Sequence, residues 1–274
     1  MKQQEMGAKP ARTWQCLVCG YVHEGDAPPD VCPVCGVGPN QFEEITQTDS
    51  GFVSDKAESF LIIGNGAAGT TACEEIRKRN KNCTIEIISS ENTIGYNRPM
   101  LTKGILSDLN TLDFYIKPSE WYQENNIKLT LGMTVTEIRK DSKEIVLANG
   151  ETRKYDKLIL ATGAEAFIPP IKGADQEGVT AIRSLEGVKK LQETLKKISK
   201  AVVIGGGILG LEAAWELKKA GKEITVIELS PNIMNKQLDE KGSALLQAAA
   251  EMSGIRVITG KGIEEITGDG KASG

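Results

Sequence analysis

The chain has 274 residues and a mass of 29.5 kDa. Its 40% apolar and 26% charged residues suit a folded globular chain with a sizeable core and exclude disorder. Lysine and arginine number 33 against 37 acids, and no basic block interrupts the sequence, so neither nucleic acid nor an anionic membrane is an expected partner. No apolar run approaches the roughly 20 residues of a membrane helix, and the opening MKQQEMGAKPARTWQ lacks the apolar core of a signal peptide. Four of the six cysteines stand in two CxxC pairs, which points to metal or redox chemistry in a reducing, cytoplasmic compartment.

Residues 12–46 hold the paired cysteines, several prolines and little helical pattern. The polar residues 47–59 read as a linker. Beyond it, apolar strands alternate with helical segments, the mark of an α/β fold. Phe60–Ile63 is a predicted strand, 64–69 a glycine loop, Thr70–Asn80 a helix and Thr84–Ile88 a second strand. From Ile127 a period-two pattern with turn signals at Asp141-Ser142 and Asn149-Gly150 predicts a β-meander. A strand at Lys157–Leu160 and a helix at Leu185–Ile198 follow. The opening theme then repeats: strand Ala201–Ile204, glycine loop 205–210, helix Leu211–Ala220 and strand Glu223–Ile227. A helix at Leu238–Met252 and a strand at Ile255–Ile258 come last. Two βαβ openings predict two nucleotide-binding domains, over 60–175 and 176–274.

In the first region, Cys16 and Cys19 are followed by Gly20, and Cys32 and Cys35 by Gly36. Each CxxC makes a knuckle, and two knuckles give a tetrahedral sulfur cage that suits iron or zinc. The glycines let the chain turn so that amides point at the sulfurs. A segment this short cannot build a full core, so the metal must supply folding energy. The stretch TWQCLVCGYVHEGDAPPDVCPVCGVGPNQFEEI resembles the rubredoxin-like domain of rubrerythrins. The resemblance implies one iron held by Cys16, Cys19, Cys32 and Cys35, and the passage of single electrons. His23, the one histidine, is expected to be an exposed loop residue, and its solitude excludes Ser-His-Asp catalysis.

The first glycine loop runs Gly64-Asn-Gly66-Ala67-Ala68-Gly69 between strand and helix. Gly64 makes the tight turn, Gly66 admits a pyrophosphate, and Gly69 lets helix pack on strand, while the helix N-terminus faces the phosphates. Glu91, just past the second strand, is the candidate for a ribose hydroxyl; the alternative is a solvated loop carboxylate. Downstream, Tyr96-Asn-Arg98-Pro-Met-Leu-Thr-Lys103 and Tyr155-Asp-Lys-Leu-Ile-Leu-Ala161-Thr162-Gly163-Ala164 resemble signatures of FAD-dependent reductases that serve rubredoxin or ferredoxin, and of the flavin part of assimilatory nitrite reductases. That resemblance implies two Rossmann-like FAD- and NAD-binding domains of the glutathione-reductase-like kind, with FAD first. It also implies that Arg98 and Lys103 lie along the FAD, with Lys103 near the flavin ring.

The second loop runs Gly205-Gly-Gly207-Ile208-Leu209-Gly210. Glu228 ends its second strand with no Arg or Lys in the Leu-Ser-Pro that follows, which favours NADH over NADPH. In the family a carboxylate at the position of Glu212 pairs with the lysine beside the flavin, which implies a buried Lys103–Glu212 pair. The alternative is a Glu that merely favours the helix dipole.

The cysteine pattern of disulfide reductases is absent: Cys73 is read as packing and Cys83 as incidental. The family resemblance implies a return to the FAD domain and a last domain that the sequence does not contain, so a truncated chain is expected; the alternative is a true short form, which would leave parallel sheet edges unpaired. The activity expected of the parent protein is hydride transfer from NADH to FAD, then single electrons to the iron. The onward acceptor would be an external redox protein of the rubredoxin, flavodiiron, rubrerythrin or superoxide reductase type. Two rivals are a zinc knuckle that docks a separate rubredoxin or ferredoxin, and a fragment acting as a metal-binding module.

Overall fold

Two cysteine knuckles set on a small sheet make up the first part of the chain. The computed structural model describes residues 12–45, 53–109, 111 and 114–274. They fall into two compact units that divide between Ser54 and Asp55. In the first, β1 (Thr13–Cys16) lies between β2 (Val22–Glu24) and β3 (Phe42–Ile45), all antiparallel. Among the described residues of this unit, Cys16, Cys32 and Phe42 are the buried apolar core, with Trp14, Tyr21 and Val37 packed against them. So small a core needs a further source of stability, which a metal supplies. His23 is on β2 opposite Trp14 and half-buried, not on an exposed loop; strand pairing brings it against the tryptophan.

In the second unit the parallel sheet has the order β10-β4-β5-β6, from Lys157–Leu160, Ser59–Ile63, Thr84–Ser89 and Ile127–Leu131. Side chains alternate across it. Ile62, Ile85 and Ile87 face α1 (Ala67–Arg79) and α3 (Ser119–Glu124), together with Cys73 and Tyr122. Leu61 and Ile88 face the antiparallel meander β7 (Val135–Arg139), β8 (Glu144–Leu147) and β9 (Thr152–Lys154), where Ile145 and Leu147 close the layer. The meander therefore starts at Val135 rather than Ile127. The segment at Ile127 alternates because it is the edge strand of the parallel sheet, with Ile127 and Leu129 against the helices.

A short helix, α2 (Met100–Lys103), and α4 (Leu185–Leu195) lead to the second parallel sheet. It has the order β11-β12-β13, from Lys200–Ile204, Glu223–Glu228 and Ile255–Thr259. The helices α5 (Ile208–Lys219) and α6 (Glu240–Met252) accompany it, and Ala213, Ala214 and Leu217 of α5 pack on Ile224 and Val226. Both α1 and α5 begin three residues before the sequence pattern suggests, because Gly66 and Gly207 are themselves the N-caps and the third glycine of each motif lies in the first turn.

Two boundaries shift. Residue 46 and residues 47–52 of the expected linker lie outside the described residues. Its end is tied to the second unit: Asn82 donates to the Asp55 carbonyl, Asn80 to that of Lys56, and Ser59 opens β4. Near the expected division at 175, Lys172 and Glu177 bridge to Glu265 and Lys271, so residues on both sides of it lie along the end of the chain. Cys83 is more than incidental: it is buried, and Arg77 spans the turn below it with bonds to the carbonyls of Asn80, Lys81 and Cys83. Cys73 is fully buried, which pushes its thiol up to about 12, as fits packing.

Candidate functional site

In the first unit the two knuckles repeat one geometry. Cys16 N donates to the Tyr21 carbonyl and Gly20 N to that of Cys16; Cys32 N and Gly36 N do the same with Val37 and Cys32. Gly20 and Gly36 hold φ of +77° and +76°, the left-handed region that glycine adopts without strain. This turn brings the Tyr21 amide to the Cys19 sulfur and the Val37 amide to that of Cys35. The amides of Val18 and Cys19 point at Cys16, and those of Val34 and Cys35 at Cys32.

The four Sγ atoms lie within 4.8 Å of one another, with Cys16–Cys35 and Cys19–Cys32 at 3.6 Å. Metal–sulfur bonds of about 2.3 Å in a tetrahedron set sulfurs about 3.8 Å apart, so the cage fits a tetrahedral metal. Desolvation opposes charge on Cys16 and Cys32, but their amide donors outweigh it and hold both thiols low, Cys32 at about 7. At Cys35 the Val37 amide favours the thiolate, yet desolvation and the neighbouring thiols push it up to about 12. Four thiolates crowd together only around a cation. Cys16 and Cys32 are buried, while Cys19 and Cys35 are exposed beside Leu17, Val18 and Val34.

In the second unit the strand order reverses between β4 and β10. The chain runs from β4 outward through β5 and β6, then returns to pair β10 on the other side of β4. Ligands of open α/β sheets bind at such a switch point, beyond the C-terminal strand ends. There Gly64 (φ +110°) abuts the Ala161 carbonyl, and a Cβ at Gly64 would overlap it. A Cβ at Gly69 would overlap the Gly64 carbonyl, whereas one at Gly66 would stand in open space. Ala161, Thr162 and Gly163 follow β10 directly, and Arg183 closes over them, its Nε donating to the Ala164 carbonyl at 2.7 Å.

The helix ends separate by chemistry. Ser184 and Asp239 cap α4 and α6 with side-chain oxygens, while α1 and α5 start at glycines with no side-chain cap. The first-turn residues Ala67, Ala68 and Gly69, and Ile208, Leu209 and Gly210, thus keep their amides for another anion. The space at Gly66 and the uncapped α1 fit the pyrophosphate of FAD; Gly207, likewise open, and α5 fit that of a nicotinamide dinucleotide. Gly205 (φ +106°) makes the turn of the second loop.

Glu91 is neither free nor simply solvated. Its Oε1 accepts from Arg98 Nη2 and its Oε2 from the Tyr96 hydroxyl, each at 2.7 Å. Arg98 also donates to Tyr96 Oη and to the Arg183 carbonyl. Glu228 accepts from Gly206 N at 2.7 Å and Ser230 N at 2.8 Å. Partial burial opposes its charge, but these amides outweigh it and keep the carboxyl below its ordinary range. Lys103 and Glu212 do meet, at 3.9 Å, yet the pair is not buried, since the lysine side chain is 57% exposed. The short α2 leaves Lys103 at its open end, and Glu212 is fixed instead by Thr102, which donates at 2.7 Å. Sequence reasoning missed Tyr96, Thr102 and Arg183 as members of the site. The first two lie inside a quoted motif; Arg183 carried no signal.

Two glycine-loop nucleotide folds in tandem, preceded by a four-thiolate cage, define an α/β protein of the two-dinucleotide class. The chain belongs to the pyridine nucleotide-disulphide oxidoreductase family, whose model matches residues 58–273, and residues 14–43 match the rubredoxin-like domain of rubrerythrin. It is 39% identical over 218 residues to a nitrite reductase [NAD(P)H] of Bacillus subtilis, covering 79% of this chain and 27% of that one. It is 34% identical over 198 residues to a rubredoxin-NAD(+) reductase of Pseudomonas putida, covering 72% and 51%. The solved NADH:rubredoxin oxidoreductase of Clostridium acetobutylicum superposes with a TM-score of 0.68 at 32% identity, covering 76% and 54%. The chain thus spans about half or less of the length of these relatives. Among the described residues no helix is long and apolar enough to cross a membrane.

Proposed function

We propose that the protein is an NADH-dependent flavin oxidoreductase that passes electrons to an iron centre on its own chain and on to an external redox protein in a reducing cytoplasm. One combination carries this reading: a sulfur cage sized for one metal, in a chain with two uncapped glycine-loop helices. When bound, FAD would accept hydride from NADH and release electrons singly, the conversion that a one-electron metal needs.

The residues divide the work. Gly64, Gly66 and the first turn of α1 would hold the FAD phosphates, Glu91 would meet a ribose, Ala161, Thr162 and Gly163 would line the cofactor, and Arg98 and Lys103 would lie along it, with Lys103 near the flavin ring. Gly205, Gly207 and the first turn of α5 would hold the nicotinamide dinucleotide, whose ribose hydroxyls Glu228 would receive. Lys103 and Glu212 stand where α2 meets α5, between the two nucleotide folds. Cys16, Cys19, Cys32 and Cys35 would hold the iron, and exposed Cys19 and Cys35 would be the exit. The names of the Pseudomonas and Clostridium relatives support an acceptor of the rubredoxin type. Flavodiiron, rubrerythrin and superoxide reductase proteins are the other acceptors that a rubredoxin-like domain suits.

The visible spectrum of anaerobic protein before and after NADH tests the reading. Ferric-thiolate and flavin bands that bleach together support it. Flavin bands alone make the knuckle a zinc docking module, which the 3.6 Å sulfur spacing also fits. No flavin at all leaves a metal-binding module.

Glu212→Gln should slow flavin reduction by NADH about tenfold, roughly 1.4 kcal/mol of barrier, in stopped-flow traces. Thr102→Val should slow it less, and an unchanged rate for Glu212→Gln removes the pair from the reaction. For the nicotinamide, Glu228→Ala with Leu229→Arg trades a carboxylate that repels a 2′-phosphate for a guanidinium that binds one. The NADPH-to-NADH ratio of kcat/KM should rise by about tenfold or more. A ratio that does not move would remove Glu228 from cofactor choice.

A further inference from the structure

Three polar groups converge on one buried hydroxyl. Tyr96 is 4% exposed, and its ring stacks on Phe114 at 5.0 Å between centroids. Its hydroxyl donates to Glu91 Oε2 at 2.7 Å. It accepts from Arg98 Nη1 at 2.8 Å and from the backbone amide of Leu185 at 3.2 Å. A phenol has one proton to give and two lone pairs to receive with, so this set is complete. The direction of the donated bond is settled by the partners: a guanidinium and an amide can only donate, so the proton goes to the carboxylate. Burial, and then the Glu91 carboxylate, push the phenol up to about 12, so the proton is present at every working pH.

The consequence falls on Glu91. Its carboxylate sits past the end of β5 on a loop, and its side chain is 30% exposed. A flexible carboxylate there loses rotamer entropy whenever it grips a ligand. With Tyr96 on one oxygen and Arg98 on the other, both carboxylate oxygens are fixed before any ligand arrives, and each keeps a lone pair free. Preorganisation of this kind lowers the cost of binding without adding a contact.

We infer that Tyr96 is the positioning residue for Glu91 in the adenosine half of the first dinucleotide site, and that its hydroxyl sets FAD affinity without touching FAD. The inference rests on the proposed role of Glu91 at the ribose. It is tested on apoprotein by flavin-fluorescence titration with FAD, with no NADH present. Tyr96→Phe keeps the ring and its stacking, and should raise the Kd about tenfold, the usual effect of removing a hydrogen bond to a charged group. Glu91→Gln should also weaken binding, and Tyr96→Phe with Glu91→Gln should be no worse than Glu91→Gln alone, because the hydroxyl acts through the carboxylate.

A merely structural role for Tyr96 would give losses that multiply, and that result overturns the inference, as does a wild-type Kd in Tyr96→Phe. Should Tyr96→Phe fail to fold, Glu91→Asp decides. It keeps the charge but withdraws it by one methylene from the hydroxyl, so a tenfold loss supports the inference and wild-type affinity overturns it. A wild-type protein that binds no FAD overturns the proposed function itself, and the inference with it.

Discussion

Gly66→Ala should fold as well as the wild type and bind FAD at least a hundredfold more weakly, a loss of about 3 kcal/mol. The reasoning separates the three glycines of one motif. Gly66 has φ −86° and ψ −168°, ordinary extended backbone that alanine adopts, and a Cβ there meets no atom of the protein. The space it would enter lies at the uncapped start of α1, where a pyrophosphate would come closest to the chain. Gly69→Ala should fail differently. Its Cβ would overlap the Gly64 carbonyl, so the helix must move off the strand and the fold weakens before any cofactor is considered. The check is a pair of measurements: the thermal midpoint of the apoprotein and the Kd for FAD. Gly66→Ala should change the second alone and Gly69→Ala both. Unaltered FAD affinity in Gly66→Ala would mean that the open space at this helix end is not a phosphate site.

Cys32→Ser should empty the metal site and cut the NADH-driven reduction of an external redox protein to background, while NADH still bleaches the flavin. Three thiolates and a hydroxyl do not make a tight four-sulfur site, and binding at such sites is also folding energy. The first unit has little else to hold it, since its core among the described residues is three buried side chains. The second unit is compact by itself from Asp55 onward and should keep its thermal transition. Metal content by elemental analysis, flavin bleaching and acceptor reduction are read on one preparation. Persistent acceptor reduction without metal would move the exit to the flavin and leave the knuckle a docking element.

What could be read from the sequence shares one property: the constraint is local. Gly64, Gly66 and Gly69 are demanded by a turn, a phosphate and a helix contact within six positions. The four cysteines reveal their role because each knuckle is closed by a glycine one residue on. Strand and helix types followed from period-two and helical patterning, and the edge strand at Ile127 misled because an edge alternates like a meander. Other partners of the candidate site were illegible because they are remote. The Leu185 amide reaches Tyr96 across 89 positions, and Thr102 reaches Glu212 across 110. No spacing rule covers such distances; only the packing of α4 and α5 against the 95–103 segment brings them together. The exposure of Lys103 was equally hidden, since it depends on α2 being a single turn.

The helix α4 serves two cores. Leu185 and Val188 are buried with Tyr96, Leu101 and Phe114 beside the first sheet, and Leu195 is buried with Ala213, Leu217 and Ile224 beside the second. Packed interiors resist compression, so neither end of α4 can leave its core cheaply. A wide hinge swing of one nucleotide fold against the other would tear one of these cores open. The motion left to the protein is shear, small slides of α4 between two layers that stay packed. A hydride donor and its acceptor would then be brought together by adjustments of side chains and loops, not by the opening and closing of a cleft.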